Sequence, residues 1–225
     1  TAASTVSNLS TVRAFEAGVS DGSVYGYVLG GSSAAATYVT TADRITFSTS
    51  GTAASTVSNI STARDYVVGV SDGAVYGYAL GGNTGGATGL ATADRLTFST
   101  SATAASTASN ISSGRYSGAG ISDNAVYGYY AGGYSSTYAA TGDRLTFSTS
   151  VMAASTVSNL SSARYGVGGL SDGATYGYAL GGVTSGGNVN TGDRLTFSTS
   201  AIAASTVSNL STVRRVSATL SDGAV

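Results

Sequence analysis

Aspartate is the residue type of this chain that could carry the most chemistry. Nine aspartates recur in two settings, a turn sequence such as Ser-Asp-Gly and an Asp-Arg pair. Paired carboxylates can hydrolyse glycosidic bonds, and carboxylate oxygens can bind calcium. Because the same settings return along the chain, we favour a structural task, either an Asx turn or a pair with a neighbouring arginine. The nine residues are Asp21, Asp43, Asp72, Asp94, Asp123, Asp143, Asp172, Asp193 and Asp222.

The residue types that are missing exclude most other catalytic chemistry. The 225 residues include no histidine, cysteine or proline, and all ten basic residues are arginine. The usual zinc, copper, haem and iron–sulfur sites therefore lack ligands, and Ser-His-Asp, Cys-His and Schiff-base catalysis lack their central residues. We predict a protein that is not an enzyme, without catalytic residues, bound metal or cofactor.

Charge and hydropathy exclude two classes of partner. Charged residues make up 9% of the chain, and the formal net charge is −1. The scattered arginines form no basic stripe, so binding to nucleic acid is not expected. No run of about 20 apolar residues occurs, so we expect no membrane insertion.

The elements that position these residues are copies of one unit. The segment that begins AASTVSNLS ends in an arginine, here called the repeat arginine, and returns with spacings of 51, 51, 49 and 50 residues. A period near 50 is typical of stacked supersecondary units. We interpret residues 1–225 as one repeat domain with units 13–63, 64–114, 115–163 and 164–213 and partial units 1–12 and 214–225. The repeat arginines are Arg13, Arg64, Arg115, Arg164 and Arg214.

Each unit is predicted to contain four short strands and no helix. The second unit has an apolar run at 66–70, a Tyr-rich strand at 75–80 ending in Gly-Gly, and a strand around Leu96 and Phe98. A weakly patterned fourth strand is expected at about 53–60. Asp-Gly favours a tight hairpin, and Asn124 replaces the glycine in the third unit. The paired tyrosines, such as Tyr76 and Tyr78, are expected in the core.

The order of these parts resembles the kelch repeat of β-propellers. Arg64, Tyr76, Tyr78, Gly81-Gly82, Phe98 and Arg115 fall in the family's order, whereas Ala54 stands where kelch units carry tryptophan. The resemblance implies an all-β, kelch-like propeller of four-stranded antiparallel blades. Four and a half repeats are present, so we expect the chain to be part of a longer one. The sub-pattern is similar to kelch-like repeats encoded by marine and cyanobacterial phages near tail-fibre genes.

Specific recognition must lie where the units differ. The loop between the second and third strands varies in length, and the residues after the repeat arginine vary in type. In a kelch-like blade both regions open on one face. Tyrosine with Ser, Asn and Gly is a palette suited to adaptable recognition. The candidate ligand-binding residues are Tyr38, Asn83, Tyr116, Tyr134, Tyr138, Tyr165, Asn188 and Asn190.

The sequence therefore predicts a binding or display module of a virion, such as a phage tail fibre, or of the extracellular space. Its partners would be a glycan or cell-surface polymer and other virion or fibre proteins, and self-association is a further option. The alternatives are a purely structural or self-assembling propeller, natural or consensus-designed, and a glycosidase-type enzyme.

Overall fold

A computed structural model describes residues 8–34, 36–86, 88–155, 158–205 and 208–215 of the chain. These residues form an all-β protein with four four-stranded antiparallel sheets, numbered here 1 to 4 along the chain. Within each sheet the four strands lie side by side in chain order. The predicted four-stranded antiparallel unit is confirmed.

The strands are short in all four units. Unit one contains β1 (Ala17–Ser20), β2 (Tyr25–Leu29), β3 (Ser32–Ala34), β4 (Thr37–Tyr38), β5 (Ala42–Thr46) and β6 (Gly51–Ala54). Unit two contains β7 (Val68–Ser71), β8 (Tyr76–Leu80), β9 (Ala93–Thr97) and β10 (Ala102–Ala105). Unit three contains β11 (Ala119–Ser122), β12 (Tyr127–Ala131), β13 (Tyr134–Ser135), β14 (Thr137–Tyr138), β15 (Gly142–Thr146) and β16 (Val151–Ser155). Unit four contains β17 (Gly168–Ser171), β18 (Tyr176–Leu180), β19 (Val183–Thr184), β20 (Gly187–Asn188), β21 (Gly192–Thr196) and β22 (Ala201–Ala204).

Turns rich in hydrogen bonds join the first two strands of each sheet. In sheet 2, Asp72 Oδ1 accepts backbone hydrogen bonds from Ala74, Val75 and Tyr76 at 2.9, 2.7 and 2.9 Å. Gly73 has a φ of 72°, and Asn124 takes the same left-handed conformation with a φ of 57°. The predicted Asx turn and the reason for its glycine are both confirmed. Asp21, Asp123 and Asp172 accept in the same way.

The predicted fourth strand is wrong in its bounds. It was expected at 53–60, but β6 runs from Gly51 to Ala54 and a short 3-10 helix follows at Thr56–Ser58. The Ser55 and Ser58 hydroxyls bond each other at 2.8 Å. Such short polar side chains offer the backbone an alternative to strand pairing, which is consistent with the early end. Within the described ranges no helix is long and apolar enough to span a membrane.

The core lies between consecutive sheets. Tyr27 of sheet 1 stacks on Phe98 of sheet 2 with ring centroids 5.8 Å apart, and its hydroxyl lies 2.8 Å from Ser101 Oγ. The same contacts recur between sheets 2 and 3 and between sheets 3 and 4. The second tyrosine of each of the first three pairs is therefore a core residue, as predicted. Each interface excludes water from one cluster of apolar side chains.

The first strands of neighbouring sheets touch one another: β1 contacts β7, β7 contacts β11, and β11 contacts β17. Glycine makes this approach possible. A Cβ placed on Gly69 would lie too close to the Gly18 carbonyl oxygen, and one on Gly120 too close to the carbonyl oxygen of Gly69. The small residue in the middle of each first strand therefore sets how closely the sheets approach.

A buried ion pair stabilises each sheet near its Gly-Gly sequence. Arg64 Nη2 lies 2.8 Å from Asp94 Oδ2, and neither side chain is exposed. The guanidinium also donates to the Gly81 carbonyl at 2.7 Å, while the Arg64 carbonyl accepts from Gly31 of the preceding sheet at 2.9 Å. The repeat arginine thus links strands within a sheet and also joins two sheets. Equivalent pairs are Arg13–Asp43, Arg115–Asp143 and Arg164–Asp193.

Candidate binding face

The two variable regions of each unit meet through backbone hydrogen bonds. The residue after the repeat arginine pairs with the residue after the Gly-Gly sequence, as in Tyr116 with Tyr134, whose mutual N–H···O distances are 3.1 and 2.9 Å. The same bridge forms in the other three sheets. The two variable regions are therefore adjacent in each of the four sheets.

The second residue after the repeat arginine adopts a left-handed conformation. Phe15, Tyr66, Ser117 and Gly166 have φ values of 63°, 50°, 55° and 63°. A bulky residue is rarely found in this region, where it costs roughly 1–3 kcal/mol, and such strain concentrates at functional sites. Phe15 and Tyr66 are therefore held in an unfavourable conformation that presents their rings side by side.

Six aromatic rings form a continuous surface across the four units. Phe15 and Tyr66 stack with centroids 4.2 Å apart and an interplanar angle of 21°. The series continues from Tyr66 to Tyr116, to Tyr134 and to Tyr165 with centroid separations of 5.7, 5.7 and 5.4 Å. Tyr138 contacts both Tyr134 and Tyr165 at 5.5 and 5.7 Å. We call this surface, formed by Phe15, Tyr66, Tyr116, Tyr134, Tyr138 and Tyr165, the aromatic face.

Polar groups accompany the rings on the side of sheets 1 and 2. The Asp65 carboxylate is buried, which raises its pKa, and the Ser32 hydroxyl bonded to it partly offsets that effect. Burial likewise raises the pKa of Tyr66 and of Tyr116, and Asn83 hydrogen-bonds Tyr116. The Tyr66 and Tyr116 hydroxyls therefore stay protonated at neutral pH, and burial favours the protonated form of Asp65.

A cleft of about 400 Å³ opens beside Phe15. Its walls include Phe15, Ala34, Ser32 and Asp65, so an aromatic ring, a hydroxyl and a carboxylate border one space. Arg215 packs against Gly166, in the loop before β17, and acts electrostatically on Tyr66. Both signs of charge thus border the aromatic face.

The structure brings most of the predicted site residues together. Tyr116, Tyr134, Tyr138 and Tyr165 belong to the aromatic face, and Asn83 bonds to it through Tyr116. Tyr38, in β4, is half-buried against Gly85 of the next unit and contributes to the raised pKa of Tyr66, so it lies at the border.

Two predicted site residues are placed differently. The Asn190 amide donates to the Leu210 carbonyl at 3.1 Å, so this side chain makes a structural contact within the fold. Its amide group therefore holds a neighbouring loop, and its place in the binding site stays a prediction. Asn188 is exposed at the end of β20, where it pairs with Val183. It is not one of the residues that form the aromatic face.

Sequence reasoning missed Phe15, Tyr66 and Asp65 as site residues. All three lie in the variable region after the repeat arginine, and two of them occupy the left-handed position. The signal was available in principle, because an aromatic residue stands there in two units where the others have Ser and Gly. The prediction selected other tyrosines and asparagines of the variable regions, so these three residues were left out.

The repeat aspartates have structural contacts in the described part of the chain. Four accept turn hydrogen bonds and four pair with arginine, as described above, while Asp222 lies outside the described residues. Among the described residues, no group of three or more His, Cys, Asp or Glu side chains is arranged to hold a metal ion. The structural interpretation of the eight described aspartates is confirmed.

Family models and curated proteins offer no guide to the assignment. No protein-family model matches the chain, and no curated protein matches it. The interpretation of the aromatic face therefore rests on its geometry.

Proposed function

We propose that the chain is a non-enzymatic binding module that recognises a glycan or a similar surface polymer through its aromatic face. The observation that carries this proposal is the unbroken series of six rings, contributed by variable regions of all four units. Repeated scaffold residues cannot distinguish between ligands, whereas these residues differ from unit to unit.

The chemistry of the face suits a sugar. The C–H surfaces of a pyranose ring pack against aromatic rings, and its hydroxyls need donors and acceptors placed nearby. Tyrosine hydroxyls supply both, Asp65 supplies an acceptor, and the cleft beside Phe15 offers room for one sugar unit. Because rings are spread over the whole face, a polymer could contact several of them at once.

We further propose that the four sheets are consecutive blades of a kelch-like β-propeller. Support comes from the contacts between successive first strands and from a cleft of about 580 Å³ that the first strands of all four sheets help to line. A virion-associated or extracellular location, and partners among fibre proteins, stay predictions from the sequence resemblance.

Binding to an array of glycans tests the proposed function. The wild-type chain should bind a subset of glycans, and the double variant Tyr134→Ala/Tyr138→Ala should lose at least about tenfold in affinity, since each lost aromatic contact is worth about 1 kcal/mol. Tyr176→Ala is the matched control, because Tyr176 is also partly buried but lies on outer sheet 4, on the strand that follows the Asx turn. Circular dichroism should show equal folding of all three proteins.

Two results would contradict the proposal. One is the absence of binding to any bacterial or algal polysaccharide at millimolar ligand, which would favour a purely structural role. The other is equal binding by the double variant and the wild type, which would place the site elsewhere. Turnover of a bound glycan, lost on changing a single aspartate, would favour the glycosidase alternative.

A further inference from the structure

The two outermost sheets expose surfaces that their equivalents bury. Phe98, Phe147 and Phe197 are 4, 2 and 6% exposed, but Phe47 of sheet 1 is 45% exposed. Ile45 is half-buried, whereas its equivalents Leu96, Leu145 and Leu195 are fully buried. We call the surface formed by Ile45 and Phe47, with the buried Gly26 beneath the Phe47 ring, the acceptor face. It borders the cleft of about 580 Å³.

The opposite end of the molecule exposes the other half of the same interface. Tyr178 and Leu180 of sheet 4 are half-buried, although Tyr27, Tyr78 and Leu80 are sealed from solvent. Arg194 is exposed, while Arg44, Arg95 and Arg144 are partly covered by the following sheet. We call the surface formed by Tyr178, Leu180 and Arg194 the donor face.

The chain contains three examples of how these two faces fit. At each internal interface a tyrosine of one sheet stacks on a phenylalanine of the next, with centroids 5.8, 5.9 and 6.0 Å apart. An arginine of the first sheet donates to a serine of the next at 3.2, 3.1 and 3.1 Å. The donor face carries the tyrosine and arginine of this arrangement, and the acceptor face carries the aromatic ring.

We propose that the acceptor face of one molecule binds the donor face of a second copy of the same chain. Tyr178 of one copy then packs on Phe47 of the other, as Tyr27 packs on Phe98 within the chain. Each copy uses two different surfaces, so the contact is heterologous and generates either a ring or an extended assembly. A second copy is the occupant that the chain itself specifies, because both surfaces are encoded in it.

Sedimentation velocity, with light scattering after size exclusion, tests this inference. The wild-type chain should show a mass that rises with concentration. Phe47→Arg and Tyr178→Asp should each remain monomeric up to a concentration at least tenfold higher. Val24→Arg is the matched control and should assemble as the wild type does, because Val24 is 46% exposed and its equivalents Val75 and Val126 stay 48% exposed at the internal interfaces.

Mixing the two monomeric variants gives the sharpest result. The Phe47→Arg chain keeps an intact donor face and the Tyr178→Asp chain an intact acceptor face, so an equimolar mixture should form a heterodimer and grow no further. A mixture that stays monomeric overturns the proposal. A homodimer of the Tyr178→Asp chain also overturns it, since that result requires two acceptor faces to meet. A monomeric wild type at millimolar concentration does the same.

Discussion

The three internal interfaces and the two outer faces contain the same residue types but place them in different surroundings. Tyr78 is sealed from solvent and lies 5.9 Å from the Phe147 ring, whereas Tyr178 is half-buried. Phe147 is buried, whereas Phe47 is 45% exposed. Burial in this protein is therefore a property of having a neighbouring sheet, and residue type alone does not determine it.

This difference shows how the stability of the chain is built. Each sheet has little core of its own, and the apolar clusters lie between sheets. In such quasi-one-dimensional proteins, stability is approximately a sum of unit and interface contributions. The same substitution should then have a large effect at an internal position and a small one at an outer position.

The largest difference in stability between an internal and an outer substitution is expected at the repeat arginines. Arg115→Ala leaves the buried Asp143 carboxylate without its partner, and we expect a loss of about 3–5 kcal/mol in the free energy of unfolding. Arg214→Ala is the matched change, because Arg214 is exposed, and should leave stability nearly unchanged. Urea denaturation followed by circular dichroism measures both. Equal losses in the two variants would contradict the comparison.

The interface phenylalanines give the next largest difference. Phe147→Ala removes a buried ring that stacks on Tyr78, and a loss of about 3–5 kcal/mol is expected. Phe47→Ala should cost about 1 kcal/mol or less, since its ring already meets solvent. Thermal unfolding at a concentration where the chain is monomeric separates this effect from any change in self-association. If Phe47→Ala proves as damaging as Phe147→Ala, the outer face is covered in solution.

Most of the fold was predictable because each unit repeats its local signals. The position of Asn124, in place of glycine, identified the turn, and alternation along 75–80 identified the buried tyrosine. The end of the fourth strand was not predictable, since Ser55 and Ser58 make a local hydrogen bond that hydropathy does not report. The exposure of Phe47 and Tyr178 follows from their place in the first and last of the described sheets, and residue type alone does not indicate it.

The candidate site was predictable in part. Tyr116 and Tyr134 were found because they interrupt the repeat, and the backbone bridge explains why two regions distant in sequence meet. The involvement of Tyr66 depends on a left-handed backbone conformation, which a single sequence does not indicate for an aromatic residue. The structural role of Asn190 depends on a partner 20 residues away along the chain.

Substitution of glycine in the first strands should give a smaller difference in stability between an internal and an outer sheet. A Cβ at position 120 would lie 2.4 Å from the Gly69 carbonyl oxygen, whereas one at position 18 would meet nothing within 4 Å. Gly120→Ala should therefore destabilise by about 1–3 kcal/mol through overpacking. Gly18→Ala should be neutral or slightly stabilising, because alanine has fewer conformations in the unfolded chain. A destabilised Gly18→Ala variant, measured in urea, would mean that β1 also has a close neighbour.

Removal of one tyrosine hydroxyl should give the smallest difference in stability between an internal and an outer sheet. The Tyr129 hydroxyl lies 2.8 Å from Ser200 Oγ inside a closed interface, and Arg144 donates to the same serine at 3.1 Å. Tyr129→Phe leaves the ring stacked on Phe197 but removes one buried hydrogen bond, so a loss of about 1 kcal/mol is expected. Tyr178→Phe removes a hydroxyl from a half-buried tyrosine on the donor face and should change the stability of the monomer by less. If the two variants of the monomeric chain lose the same free energy, then the hydroxyl of the outer tyrosine is as well satisfied as that of the inner one. In that case, the distinction between internal and outer sheets holds for apolar burial but fails for hydrogen bonding.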